Sequence, residues 1–147
     1  MFTIRDIREE DREIFFKMAE DFYSGEACLH TVPVKNFELT LEECLRSKDR
    51  ARTLILEEDG MPVGYLLLAL TYSNEVGGTV VWLDELYFVE EARGKGYRTR
   101  VFEWTEAEYP EAKRFRLEAT YENKRAIALY ERLGYKELHY YQMVKER

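Results

Sequence analysis

The sequence predicts an α/β fold, a mixed central sheet of about seven strands with four helices, and three observations carry that expectation. At 147 residues, with 46% hydrophobic and 14% aromatic content, the chain fills one core, so one domain over 1–147 is expected. Helical and strand-like periods alternate in the order β, α, α, β, β, β, α, β, α, β, β. One segment, "TVVWLDELYFV", is apolar nearly throughout, which suits a central strand covered on both faces.

The elements follow from local pattern. "FTIRDI" reads as a first strand. Ile14, Met18 and Phe22 then recur at spacings of four, with Phe15 and Ala19 beside them, which gives an amphipathic helix ending near Gly25. A second helix is expected to start where Thr40 and Glu43 make a capping-box pattern ahead of Leu45, because the hydroxyl takes one free amide and the carboxylate another. Between them, "GEACLHTVPVKNFEL" reads as a long irregular connection. "RTLILEEDGMPVGYLLLALTY" holds two apolar runs around Asp59-Gly60, a turn pair that tolerates positive φ, and so predicts a hairpin. The loop "SNEVGG" leads into the central strand. A helix from about Gly96 to Glu108, a strand "RFRLEAT", a helix "KRAIALYERL" and a last strand pair around "YKELHYYQMV" complete the series. No repeat, low-complexity tract or linker interrupts it.

Charge and cysteine usage exclude several classes. With 29 acidic against 22 basic residues, a net charge of −7 and a pI near 5.0, the surface lacks the basic field that nucleic acid or an anionic membrane selects. Cys28 and Cys44 have neither metal-ligand spacing nor the arithmetic of a disulfide framework, so no metal is expected. No stretch approaches the ~18 apolar residues of a membrane span, and "MFTIRDIREEDRE" lacks an apolar targeting core. A soluble, cytoplasmic protein is the resulting expectation.

Against that acidic background, "ARGKGYRT" places Arg93, Lys95, Arg98 and Arg100 around Gly94 and Gly96. A strand that runs into a glycine loop and then a helix presents unpaired backbone amides and the positive end of the helix dipole. Phosphate or pyrophosphate is the natural guest, with Arg93, Lys95 and Arg98 available for charge-assisted contacts. A P-loop would need Gly-Lys-Ser/Thr, and a dinucleotide fold would need GxGxxG at its first strand; neither fits. A solvated basic turn that merely caps a helix is the bland alternative.

"LDELYFVEEARGKGYRTRVF" followed by "LEATYENKRAIALYERLGY" resembles the GCN5-related N-acetyltransferase (GNAT) superfamily across essentially the whole chain. Arg93 and Gly96 match the family's loop, while Arg98 stands where a small residue is usual. Asn123, Ala126, Tyr130 and "RLGY" match its second signature. The resemblance implies a GNAT-like fold and acetyl-coenzyme A as cosubstrate. The pantetheine arm would pair with the backbone of Leu86, Tyr87 and Phe88. The pyrophosphate would rest on amides of residues 94 to 99, that is Gly94, Lys95, Gly96, Tyr97, Arg98 and Thr99, with Arg93 and Asn123 also at the cofactor. In the family, the position of Tyr130 donates a proton to the departing sulfur.

Acetyl transfer to an amine has three demands: a proton leaves the ammonium, the oxyanion is stabilised and the leaving thiolate is neutralised. An alkylamine, pKa near ~10.4, arrives protonated at neutral pH, so a carboxylate is wanted. Asp84 and Glu85 interrupt an otherwise apolar strand, where an unpaired buried charge is costly. Strict alternation puts Glu85 on one face with Leu83 and Tyr87, and Asp84 on the other. Polyamine-acetylating relatives carry acids at this place, which makes Glu85 the first candidate for base or amine anchor and Asp84 a substrate contact. Glu118 is the rival base: it stands five residues before Asn123, where ribosomal-protein acetylating relatives have a glutamate. Tyr130 has helical spacing with Ala126, Leu129 and Leu133, so a core tyrosine with its hydroxyl aimed into a site satisfies both roles. Asn123 also reads as the N-cap of that helix.

His30 and His139 are the only histidines and have no Ser or Cys partner at recognisable spacing, so direct transfer is the simpler mechanism. Cys28 would act as a nucleophile only if the fold brought it to the cofactor. Phe22, Tyr23 and His30 are candidates for the acceptor wall. A small amine or polyamine-like acceptor is favoured. Acetylation of a protein N-terminus or lysine, and a non-catalytic acyl-coenzyme A binding or interaction module, stay open as alternatives. Tyr140, Tyr141 and Met143 fit either a homodimer interface or ordinary core.

Overall fold

β1 (Phe2–Asp6) pairs antiparallel with β2 (Ala51–Glu58), whose hairpin with β3 (Met61–Ser73) turns at Asp59 and Gly60, both at positive φ. β3 pairs antiparallel with β4 (Gly78–Phe88), and β4 pairs parallel with β5 (Arg114–Arg116), giving one mixed sheet in the order β1-β2-β3-β4-β5. The computed structural model describes residues 1–25 and 29–147.

Four α-helices among the described residues cover the sheet. α1 (Arg12–Tyr23) and α2 (Val34–Arg46) pack on one face, where Phe15, Met18, Phe37 and Leu41 meet Ile55, Tyr65, Leu67 and Tyr87. On the other face α3 (Tyr97–Glu108) and α4 (Lys124–Arg132) meet Leu54, Leu66, Leu68, Val81 and Phe88. Each such buried aliphatic or aromatic side chain contributes about 1.5–3 kcal/mol of transfer free energy, so this two-faced core dominates the stability. Among the described residues no helix is long and apolar enough to cross a membrane.

Two expectations need correction. Among the described residues the sheet has five strands, not about seven. The strand read in "RFRLEAT" ends at Arg116, and residues 135–147 add no strand. Tyr140 and Tyr141 are adjacent, so an extended chain sends them to opposite faces. Past β5 there is one short edge and no layer to bury either; Tyr141, Met143 and Val144 accordingly stay exposed. The second helix begins at Val34 after Pro33, not at Thr40. Proline's fixed φ starts the helix, and the Thr40 hydroxyl instead donates back to the Asn36 carbonyl one turn earlier, at 2.9 Å.

One irregularity decides the site. Leu67 faces Glu85 and Leu68 faces Leu83, so Asp84 is an extra residue in β4, a β-bulge. Beyond it β3 and β4 lie very close: a Cβ on Gly64 would come within 2.2 Å of the Tyr87 carbonyl oxygen.

Candidate functional site

β4 and β5 stay paired from Val80 opposite Arg114 to Trp82 opposite Arg116, and then they part. The bulge explains the parting, because an extra residue bends and twists its strand away from a neighbour that lacks one. From Leu83 to Phe88 the outer edge of β4 carries no strand among the described residues, and the backbone of Leu86, Tyr87 and Phe88 lies along this open edge.

The gap opens at the start of α3. Gly96 is its N-cap, with φ 81° and ψ 7°, a left-handed conformation that a side chain makes costly and glycine adopts freely. No side chain caps this end and no acidic residue lies in its first turn, so the amides of Tyr97, Arg98 and Thr99 point out without an intrahelical partner. An anion such as pyrophosphate fits that end chemically. Gly94 is also at positive φ, and nothing stands within 4 Å of where a Cβ on either glycine would project.

The basic side chains of this loop are aimed elsewhere. Arg93 Nε donates to the Phe88 carbonyl at 2.9 Å, fastening the loop to the end of β4. Lys95 Nζ reaches Glu58 at 2.9 Å, and the Tyr97 hydroxyl bonds the same carboxylate while its ring stacks on Phe2. Arg98 Nη1 donates to the Tyr130 hydroxyl at 3.3 Å, and its guanidinium lies 6.0 Å from the centre of the Phe88 ring. Each of the loop cations expected on an anion thus has a contact within the fold, and the groups left without a partner at this helix end are backbone amides.

Tyr130 is half-buried on α4, with its ring 5.5 Å from that of Phe102 and its hydroxyl under Arg98. Asn123 caps α4: its side-chain oxygen accepts from the Ala126 amide at 3.4 Å.

The acids occupy the opposite side of the gap. Leu83 packs in the core beneath α3 and α4, but Glu85 turns to the α1 and α2 face, where the hydroxyls of Tyr23 and Tyr65 both donate to it, Tyr65 at 2.7 Å. Strict alternation is thus wrong here: the bulge separates Leu83 from Glu85 and sends Asp84 to the same helix-covered side as Glu85. Asp84 lines a cavity of about 580 Å³ bordered by Leu39, Glu42 and Glu43 of α2 and by Leu67 of β3, with Arg46 and Arg50 also in its lining and both paired to Glu43. Burial pushes the Glu85 carboxyl above the ordinary range, against the opposing phenol hydrogen bonds, and the Asp84 charge adds to the rise. Asp84 touches solvent but sits among crowded protein atoms; that desolvation raises its pKa, and the negative charge of exposed Glu118 raises it further. Glu118 lies beyond the end of β5, and across the parting strands its charge reaches Asp84.

Phe22 and Tyr23 pack around Phe37 and Tyr65 and line neither side of the cavity; His30 is exposed in a bend apart from it. Cys28 lies outside the described residues. Tyr65 and Asp21 were not among the expected site residues, although a phenol inside the apolar run "GYLLLAL" signals a buried acceptor close by. Asp21 accepts from Tyr87, whose phenol is pushed up to about 12 by burial and then by that carboxylate.

The profile of the acetyltransferase (GNAT) family matches residues 4–135. No curated protein sequence matches. Among solved structures, a possible acetyltransferase from Clostridium difficile 630 superposes with TM-score 0.81 at 19% identity, covering 100% of this chain and 98% of that one. The aminoglycoside N-acetyltransferase AAC(6')-Iy in complex with CoA gives 0.80 at 16% identity over 100% and 95%. A ribosomal-protein-alanine N-acetyltransferase from Brucella melitensis biovar Abortus 2308 gives 0.78 at 18% over 99% of each.

Proposed function

Because the chain belongs to the acetyltransferase (GNAT) family, we propose that it moves an acetyl group from acetyl-coenzyme A directly to a cationic amine, with the reaction set in the gap between β4 and β5. One observation carries this reading: an unpaired strand edge runs into an uncapped helix N-terminus, with carboxylates on one side and a tyrosine hydroxyl on the other. The edge offers hydrogen bonds to an amide-bearing arm, and the α3 amides with the dipole receive the pyrophosphate.

In this reading Asp84 meets the acceptor ammonium in the α2 cavity, and Glu85 takes the proton. A buried carboxyl with a raised pKa is a stronger base than an exposed one, and Glu118 adds its negative charge at Asp84. Tyr130 protonates the sulfur. With Glu43 paired to Arg46 and Arg50, Asp84 and Glu42 are the acids of the cavity lining left to attract a cation, which supports a small amine over a neutral acceptor. Arg98, the departure from the family's loop, donates to the Tyr130 hydroxyl, which supports the catalytic reading over a binding-only module.

Calorimetric titration with acetyl-coenzyme A and coenzyme A, followed by free-thiol assays over a panel of amines and peptides, tests the proposal. Micromolar binding with amine-dependent thiol release is expected. Absence of binding at millimolar ligand would overturn it.

A further inference from the structure

We propose that Arg98 is a positioning residue for Tyr130: from the loop it fixes the direction of the phenol's proton and holds the phenolate left after proton transfer. This rests on the acetyl-transfer reading above and assigns a role which the family's usual small residue at this position cannot fill.

A guanidinium has only donors, so in the contact between Arg98 Nη1 and the Tyr130 hydroxyl at 3.3 Å the phenol oxygen must accept. Its own hydrogen is thereby excluded from the Arg98 side and left to point away from it. Two features hold the arginine in place. Its Cα sits on the first turn of a 12-residue helix, and its guanidinium lies 6.0 Å from the Phe88 ring centre at the end of the open strand. Tyr130 is held as well, because its ring packs between Phe102 at 5.5 Å and Tyr135 at 6.4 Å. Among the described residues no carboxylate forms an ion pair with Arg98, so its charge is not neutralised by a partner within the fold.

The electron and proton balance then closes. The neutral amine's lone pair forms the C–N bond, and the C–S bond breaks with its electron pair passing to sulfur. Tyr130 gives its proton to that sulfur and becomes a phenolate. The phenolate is stabilised by the charge-assisted hydrogen bond from Arg98 until solvent reprotonates it, while the amine's proton leaves through the acids on the opposite side.

The test compares Arg98→Ala, Arg98→Lys, Tyr130→Phe and the double variant Arg98→Ala/Tyr130→Phe by steady-state thiol release and calorimetry with coenzyme A. The expected result for Arg98→Ala is a fall in kcat on the order of tenfold or more with coenzyme A affinity within about twofold of wild type. Lysine, which keeps charge and a donor but loses the planar fork, should recover part of kcat. The double variant should be no slower than Tyr130→Phe alone, since the arginine acts through the hydroxyl. A ligand-free readout accompanies these: the Cζ resonance of Tyr130 in 13C-tyrosine protein, identified by its loss in Tyr130→Phe, should move in Arg98→Ala. Arg98→Ala that weakens coenzyme A binding while sparing kcat would make Arg98 a phosphate ligand and overturn the proposal. So would additive losses in the double variant, or an unmoved resonance. Failure of the underlying reading looks different: wild type then releases no thiol with any amine, or Tyr130→Phe keeps full turnover.

Discussion

The two sides of the gap between β4 and β5 are built from similar apolar cores but carry opposite charge. On the α1 and α2 side stand Asp84 and Glu85, with Tyr23 and Tyr65 donating to Glu85. On the α3 and α4 side stand the uncapped helix end, Arg98 and Tyr130. In the proposed reaction the contrast divides the chemistry: one side draws in a cation and removes its proton, and the other receives anionic phosphates and protonates a leaving sulfur. A single bulge creates the division, since it opens the strand edge and turns both acids to one face.

The largest predicted effect lies on the cationic side. Tyr130→Phe should lower kcat on the order of 10³-fold while coenzyme A affinity stays within about twofold, measured by thiol release and calorimetry. Unchanged turnover would break the division of labour. On the acidic side Glu85→Gln should lower kcat by about 10²-fold and also reveal the burden of a buried charge. Its raised pKa means that the folded state prefers the protonated carboxyl. That contribution to stability is full below the unfolded value of 4.5 and is lost as pH rises through the higher folded value. Glutamine does not titrate, so its melting temperature relative to wild type should climb from pH 4 to pH 8, by roughly a few degrees. A pH-independent difference would show that burial leaves Glu85 unperturbed.

Asp84→Asn should raise KM for the amine about tenfold with a smaller change in kcat, as expected for an anchor that meets the ammonium before the reaction. Equal losses in kcat and kcat/KM would move Asp84 from anchor to base. The smallest effect belongs to the cradle: Gly96→Ala forces a Cβ into the left-handed region and should cost about 1 kcal/mol, read from denaturant midpoints. Coenzyme A should bind this variant more weakly; an unaltered affinity would mean that the α3 terminus is not where the anion rests.

Much of this contrast was legible in the chain. The helix start at Gly96 and the N-cap Asn123 could be read because each depends on chemistry within a few residues. Asp84 and Glu85 also stood out by interrupting an apolar strand, although Glu85 proves buried against two phenols. Their common direction could not be read, because a bulge depends on what the partner strand does, and β3 carries no local sign of it. Arg98's turn toward Tyr130 is equally non-local, joining residues 32 apart in sequence. The final strand pair failed for the converse reason: apolar letters in "LHYYQMV" suggest a strand, but pairing and burial need a neighbour that the short β5 does not provide. Thr40 and Glu43 formed the right local pattern for a helix start, yet Pro33 had already begun the helix six residues before Thr40.

Gly64 brings β3 so near Tyr87 that the seam behind the open edge has no slack. The cavity's other wall is α2, a helix with Leu39 and Glu42 along its lining. On the proposed reaction, room for a bulkier acceptor has to be carved from that helix, one side chain at a time, while the strand pair stays as it is. Selection for a new acceptor, in nature or in the laboratory, should leave its marks on α2 and spare position 64.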